Sequence, residues 1–214
     1  MMVTILDLFC GTKSWSKPFE GKNSIISVDI KHEFNPTLCR DILNWNYIAD
    51  IDKLGFNKID IIFASPPCNL YFTPIKTPNG IRVFTEEEFN TSKKLVDKTI
   101  EIMEHYKPKF YLVENPKGKM RYMYPFIFHK MFKTFDYCMY GLPYKKPTDL
   151  WTNIEIEPKK CNHKKHQQAI RAHSWSEESY YKKTDLPRSV HRGRIAPDLS
   201  KEISEKIMLE ATVM

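Results

Sequence analysis

Residues 59–68, Ile-Asp-Ile-Ile-Phe-Ala-Ser-Pro-Pro-Cys, carry the clearest sign of the fold. It is an apolar run of strand length that stops at two prolines, which cannot donate backbone hydrogen bonds to a sheet. Three more apolar runs end in the same way, at polar, glycine or proline turns: Val3–Phe9, Ser24–Val28 and Phe110–Val113. The pattern predicts an α/β protein with a mostly parallel sheet, helices on both faces, and ligands beyond the carboxyl ends of the strands.

Sequence patterns typical of helices lie between these apolar runs and after the last of them. Thr85 followed by Glu86–Glu88 is a typical helix start, because the hydroxyl caps the first turn and acidic side chains favour its positive end. Lys107–Pro108 ends this predicted helix. The segment Asp198–Met208 has apolar residues at helical spacing, and we expect it to form a closing amphipathic helix.

Composition limits the classes of protein to consider. The 214 residues are 42% hydrophobic, which suffices for one domain with a buried core, and the longest apolar runs are far too short to span a membrane. The net charge of +7 suits a polyanionic partner, although a basic protein without such a partner has the same composition. The five cysteines show no disulfide rhythm, and the chain begins with a strand-like run, so we expect reduced thiols and a cytoplasmic location.

Cys68 is the first candidate catalytic residue. It follows a buried strand and is held by Pro66 and Pro67, which would place its thiol in the ligand crevice. A thiolate that adds to carbon 6 of cytosine makes carbon 5 nucleophilic enough to accept a methyl group. The alternative is a buried structural cysteine.

The segment Glu114–Asn115–Pro116 ends a second strand. A carboxyl group there could bond the ring nitrogen and the exocyclic amine of a flipped cytosine, and so activate carbon 6 for attack by Cys68. The same tripeptide could also be an ordinary turn after a strand.

The segment Asp7–Thr12 ends the first strand with the glycine turn that nucleotide-type cofactors need for close approach. Asp29 ends the next strand, where an acid often binds ribose hydroxyls, and Asp41 is placed to bond an adenine amine. Taken singly, each acid could be a turn or cap residue.

Three motifs, in this order, resemble those of the cytosine-5 DNA methyltransferases, especially small phage- and virus-type members: Asp-Leu-Phe-Cys-Gly at 7–11, Pro-Pro-Cys at 66–68 and Glu-Asn at 114–115. The resemblance implies a Rossmann-like class I fold, S-adenosylmethionine as methyl donor, and an extruded cytosine in double-stranded DNA. It implies Cys68 as nucleophile, with Glu114 and Asn115 as its catalytic partners and Pro67 against the substrate. The cofactor-binding residues expected on this basis are Asp7, Phe9, Gly11, Thr12, Asp29, Ile30, Asp41, Ile42, Ser65 and Pro66.

Three positions depart from the family pattern. Lys13 stands where the second glycine of the cofactor turn is usual, and Pro116 follows Glu-Asn where valine is usual. The Gln-x-Arg-x-Arg segment, whose arginine helps to hold the target base, is not found. The candidate substitutes for binding substrate are Lys145, Lys146, Arg192 and Arg194.

The predicted organisation has three parts: a catalytic domain at 1–139, a small irregular target-recognition lobe at 140–194, and a C-terminal helix at 195–214 that returns to the catalytic domain. The lobe mixes basic and aromatic residues, a composition suited to phosphate contacts and base stacking or to a solvated irregular segment. Its small size favours a short target sequence or a second subunit.

Cys161, His163 and His166 are candidate zinc ligands. These are zinc-binding residue types, but their spacing does not match paired finger motifs, so the sequence alone predicts no metal.

Three other functions stay open at the level of sequence. An exocyclic amino-methyltransferase uses a Pro-Pro-aromatic turn, but Cys68 stands where the aromatic residue belongs. Carbon-5 methylation of RNA would use the same Cys68 and Glu114. A catalytically inactive DNA-binding descendant would fit Lys13 and the missing arginine segment.

Overall fold

The computed structural model describes residues 2–21, 23–68, 75–77, 80–82, 85–163 and 193–212. It contains one seven-stranded sheet and two short hairpins within these residues. The strands are β1 Thr4–Leu8, β2 Ser24–Asp29, β3 Leu38–Cys39, β4 Ile61–Ala64, β5 Ile75–Thr77, β6 Gly80–Arg82, β7 Phe110–Pro116, β8 Phe126–Ile127, β9 Lys130–Met131, β10 Lys133–Asp136 and β11 Pro147–Thr152. The helices are α1 Tyr47–Lys53, α2 Glu86–Tyr106, α3 Met120–Met123 and α4 Pro197–Thr212.

The central sheet has the strand order β10-β11-β7-β4-β1-β2-β3. Strands β7, β4, β1, β2 and β3 pair in parallel, whereas β11 is antiparallel to both of its neighbours, β7 and β10. A short connection can join β10 to β11 because consecutive antiparallel strands need no crossover. The mostly parallel sheet predicted from the sequence is confirmed.

Helix α2 begins and ends where the sequence predicted. The Thr85 hydroxyl accepts a hydrogen bond from the Glu88 amide (3.1 Å), and the Glu88 carboxylate accepts one from the Thr85 amide (2.9 Å). This reciprocal capping satisfies two amides that the helix itself cannot. Lys107 ends the helix in the left-handed conformation, directly before Pro108.

Side chains of the sheet alternate between two hydrophobic cores, one on each face. One core contains Ile5 and Phe63 with Leu199, Ile203 and Ile207 of α4. The other contains Leu6, Ile62 and Val113 with Val96, Ile102 and Met103 of α2. Helices therefore cover both faces of the sheet, as predicted.

The sheet continues past the predicted start of the recognition lobe. Strand β11 lies within the predicted range 140–194, yet it pairs with β7 in the central sheet. The rest of that predicted lobe includes residues 164–192, which lie outside the described residues. The C-terminal helix α4 is joined to the sheet domain, since the Asp198 amide donates to the Tyr140 carbonyl (3.2 Å).

Candidate active site

Strand β1 has β4 on one side and β2 on the other, so the crevice beyond its carboxyl end is the topological switch point where α/β sheets bind ligands. The turn after β1 has Phe9 (φ 56°) and Gly11 (φ 46°) in the left-handed region. The Gly11 amide donates to Asp29 Oδ2 (2.9 Å), and the Lys31 amide donates to Asp29 Oδ1 (2.9 Å). Asp29 therefore joins the turn after β1 to the end of β2.

The turn after β1 has Lys13 where the family usually has a second glycine, and the conformation of this lysine shows how the turn accommodates it. It adopts φ 57°, a conformation that glycine enters freely and that costs other residues roughly 1–2 kcal/mol. Its ammonium group donates to the Asn35 carbonyl (2.7 Å). The backbone at this position thus has the conformation that glycine favours, although the residue is a lysine.

Asp7 lies beneath the turn. It is buried, and its Oδ2 accepts a hydrogen bond from the Ser16 hydroxyl (2.5 Å). Burial raises the pKa of Asp7 to about 7, and the neighbouring charge of Asp29 adds to the rise. This geometry lets Asp7 brace the turn.

The remaining predicted cofactor residues differ in exposure. Ile30, which follows Asp29, is 65% exposed and offers an apolar surface at the carboxyl end of β2. Asp41 accepts hydrogen bonds from the Leu43 amide (3.1 Å) and the Asn44 side chain (2.8 Å), while Ile42 is buried. Thr12 is half-buried, and its hydroxyl is bonded to that of Ser14 (2.9 Å).

The segment Ser65–Cys68 follows β4 and is held from both sides. Trp15 Nε1 donates to the Ser65 hydroxyl (3.2 Å), and Asn115 Nδ2 donates to the Pro66 carbonyl (3.0 Å). Pro66 is buried, Pro67 is exposed and Cys68 is half-buried. The segment carrying the thiol is thus fixed by residues that follow β1 and by the end of β7.

The negative charge of Glu114 acts on the Cys68 thiol. Burial and, to a smaller extent, this charge raise the pKa of Cys68 to about 11, against the opposing charge of Lys146. Burial also raises the pKa of Glu114, which is 4% exposed, against the opposing influence of Lys146 and of hydrogen bonds. The structure therefore brings together the two groups that the sequence placed on separate strand ends.

Glu114 has two further neighbours. The Tyr137 hydroxyl donates to Glu114 Oε1 (3.3 Å), and Lys146 Nζ lies 3.9 Å from the same oxygen. Beside it, Asn115 is fully buried, and its Oδ1 has no hydrogen-bond partner among the described residues. A buried acceptor of this kind normally pairs with a donor, which a water molecule or a ligand can supply.

The four basic candidates for substrate binding are not equivalent. Lys146 lies at Glu114 and also contacts the Arg194 carbonyl (3.4 Å), whereas the Lys145 ammonium faces Asp136 (4.0 Å). The Arg194 side chain lines a cavity of about 670 Å³ between the residues after β1 and helix α4. Thr12 also lines this cavity, but Cys68 and Glu114 do not. Arg192 lies outside the described residues.

Sequence reasoning missed Tyr137 and Trp15. Tyr137 reaches Glu114 from the turn after β10, and Trp15 reaches Ser65 from the chain after Gly11. Both are buried aromatic residues whose single polar group points at the site. Nothing in their local sequence distinguishes them from other core aromatics.

The mostly parallel sheet with helices on both faces is consistent with a Rossmann-like methyltransferase fold. The family model of the C-5 cytosine-specific DNA methylases matches residues 3–145. The chain belongs to this family, which makes it a DNA cytosine-5 methyltransferase and confirms the family and enzyme class predicted from the motifs.

Similar proteins agree with this assignment. The probable DNA (cytosine-5)-methyltransferase of Frog virus 3 (isolate Goorha) is 34% identical over 169 residues, which are 73% of this chain and 74% of the relative. A solved E. coli structure, titled a "putative DNA modification methyltransferase encoded within prophage", superposes with a TM-score of 0.52 at 17% identity. That match covers 75% of this chain and 52% of the other, so this chain spans about half of its length, and the likeness concerns the fold alone.

Among the described residues, every helix is too short or too polar to span a membrane.

Proposed function

We propose that this chain transfers a methyl group from S-adenosylmethionine to carbon 5 of cytosine in double-stranded DNA, with Cys68 as the covalent nucleophile. The observation that carries the proposal is the parallel pairing of β4 with β7, which puts Cys68 and Glu114 at neighbouring strand ends. There the Asn115 side-chain amide donates to the Pro66 carbonyl (3.0 Å), and Lys146 Nζ lies 3.9 Å from Glu114 Oε1. A thiol and a buried carboxyl group in electrostatic contact are what addition to a pyrimidine ring requires.

Cys68 and Glu114 would act together on the flipped base. The Cys68 sulfur forms a bond to carbon 6, while Glu114 in its protonated form donates to the ring nitrogen, which takes up the displaced electron pair. Carbon 5 then accepts the methyl group, its proton leaves to water, and elimination breaks the bond to sulfur and releases Cys68. The nitrogen proton returns to Glu114, so the enzyme ends as it began.

The residues after β1 and β2 suit S-adenosylmethionine, which when bound supplies a methyl group on a positively charged sulfur. Both oxygens of Asp29 accept a backbone amide, and each keeps a lone pair for a ribose hydroxyl. Exposed Ile30 offers an apolar surface for the adenine ring, with Asp41 nearby in sequence. Phe9, Gly11, Pro66 and the braced Asp7 would shape the rest of the site.

Lys146 is the residue we assign to the role of the missing arginine. It is the candidate cation that lies at Glu114, and its positive charge lowers the pKa values of both Glu114 and Cys68. A cation at this position would stabilise the thiolate before attack and the carboxylate after proton transfer.

The test is covalent trapping with a DNA duplex that carries 5-fluorocytosine. Fluorine on carbon 5 cannot leave as the proton does, so elimination stops and the enzyme stays attached to DNA. With S-adenosylmethionine present, we expect intact mass spectrometry to show a protein–DNA adduct that survives denaturation.

Two variants make the test specific. Cys68→Ser should form no adduct and transfer no methyl group while still binding S-adenosylmethionine, whereas Cys39→Ser, which removes an exposed thiol of β3, should still form the adduct. Methyl transfer without an adduct would contradict the covalent mechanism. Cofactor binding with neither transfer nor adduct on any DNA would contradict the proposed activity.

A further inference from the structure

Two cysteines and a histidine lie close together just beyond the end of the edge strand β10. Cys138 lies in the 3-10 helix Tyr137–Met139 after β10, and Cys161 and His163 lie in the irregular segment after β11. One potential ligand atom from each of these residues lies within 4.8 Å of the others. None of the three residues has a place in the proposed methyl transfer.

The spacing of the ligand atoms suits a tetrahedral metal ion. With zinc–sulfur and zinc–nitrogen bonds of about 2.3 and 2.0 Å and tetrahedral angles, ligand sulfur and nitrogen atoms lie roughly 3.5 Å apart. The observed distance from Cys161 Sγ to His163 Nδ1 is 3.7 Å. A shift of a few tenths of an ångström would therefore complete this part of a coordination shell.

Neighbouring contacts hold the ligands in place. The Cys161 amide donates to Asp136 Oδ2 (2.8 Å), and the Lys159 amide donates to the Tyr140 hydroxyl (2.9 Å). Cys138 is itself buried, at 8% exposure. These bonds fix the segment that carries Cys161 against the turn that carries Cys138, so a metal would meet a largely formed site.

We propose that Cys138, Cys161 and His163 bind a zinc ion through two thiolates and one neutral imidazole. Binding releases the two thiol protons to solvent, and the fourth tetrahedral position is left for water or another donor. Two thiolates with an imidazole favour zinc over magnesium or calcium, which prefer oxygen ligands. The ion would cross-link the chain leading into residues 164–192 to the sheet domain.

The proposal replaces the expectation of no metal drawn from the sequence. That expectation rests on Cys161, His163 and His166, whose local spacing matches no paired zinc motif. Cys138 is distant from them in sequence, and the folded chain brings it to their side, where the Cys161 amide donates to Asp136 Oδ2. The proposal is independent of the methyl-transfer mechanism.

The experiment measures metal directly. Full-length protein is produced in zinc-supplemented medium, desalted under reducing conditions and analysed by inductively coupled plasma mass spectrometry. We expect about one zinc per chain in the wild type. Cys161→Ser and His163→Gln, both at half-buried positions, should lose the ion, and Cys39→Ser should keep it.

Cobalt substitution provides a second readout for the same four proteins. The wild type and Cys39→Ser should show thiolate-to-cobalt charge-transfer absorption. In a separate competition with a chelator, Cys161→Ser and His163→Gln should bind zinc more than about 100-fold more weakly than the wild type. Circular dichroism checks that the variants fold. Wild-type protein without zinc, zinc kept by both variants, or a Cys138–Cys161 disulfide in metal-free protein would each overturn the proposal.

Discussion

At the scale of single residues, the active site depends on where one proton lies. Burial raises the pKa values of both Cys68 and Glu114, because it disfavours the charged form of each group. The reactive form needs a Cys68 thiolate and a protonated Glu114, which carry one proton between them. Reaching this form from a neutral thiol and a carboxylate requires transfer of a proton within the pair, and no proton is lost to solvent.

Two adjacent lysines allow a sharp test of this arrangement. Lys146 lies 3.9 Å from Glu114, whereas Lys145 faces Asp136. We expect Lys146→Met to lower kcat about 100-fold, because the thiolate loses the positive charge that stabilises it. The measurement is methyl transfer at saturating DNA and S-adenosylmethionine.

Lys145→Met is the matched control, because it removes the same charge from the next position in the chain. It should change kcat by less than about threefold and act, if at all, on the KM for DNA. Lys146→Arg should recover part of the lost rate. Equal kcat values for Lys145→Met and Lys146→Met would remove Lys146 from the site.

At the scale of elements, the turn after β1 packs on a buried carboxyl group, and the burial of that group makes the stability of the fold depend on pH. Asp7 is buried, and its carboxylate is bonded to Ser16. Its pKa of about 7 lies above its ordinary value of 3.8, so the folded state binds the proton more tightly than the unfolded state does. Stability from this residue is therefore fully present below pH 3.8 and is lost as the pH rises to about 7.

Asp7→Asn should remove this dependence, since the amide keeps the shape and can still accept from Ser16. The free energy of unfolding of the variant, relative to wild type, should rise between pH 5 and 7 and level off above pH 8. The full span from 3.8 to about 7 corresponds to about 4 kcal/mol. Urea unfolding at a series of pH values measures the difference, and parallel curves for the two proteins would contradict a raised Asp7 pKa.

At the scale of the whole molecule, the sequence predicted what local patterns determine. Apolar runs ending in turns predicted the parallel strands, and Thr85 with its acidic successors predicted the start of α2. Contacts made through the antiparallel strands at one edge of the sheet were not predictable. The reversed strand β11, the approach of Tyr137 to Glu114 and the choice of Lys146 over Lys145 all depend on the pairing of β10, β11 and β7.

Net charge is a property of the whole molecule, and its consequence for DNA binding can be measured. The chain carries 33 basic and 26 acidic side chains, and each phosphate that it neutralises releases counterions. If binding engages at least six phosphates, affinity for duplex DNA should fall at least about 1000-fold between 50 and 200 mM salt. Fluorescence anisotropy with a labelled duplex measures this slope.

The same titration separates binding to double-stranded DNA from other sources of affinity. S-adenosylmethionine carries little net charge, so its affinity should change little over this range and serves as the internal control. A single strand has a lower charge density, so it should give a shallower slope for the same number of contacts, about 0.7 against 0.9 per phosphate. If the affinity for the duplex hardly changes with salt, the positive charge does not face DNA. If a single strand binds more tightly than the duplex at every salt concentration, a double-stranded substrate is contradicted.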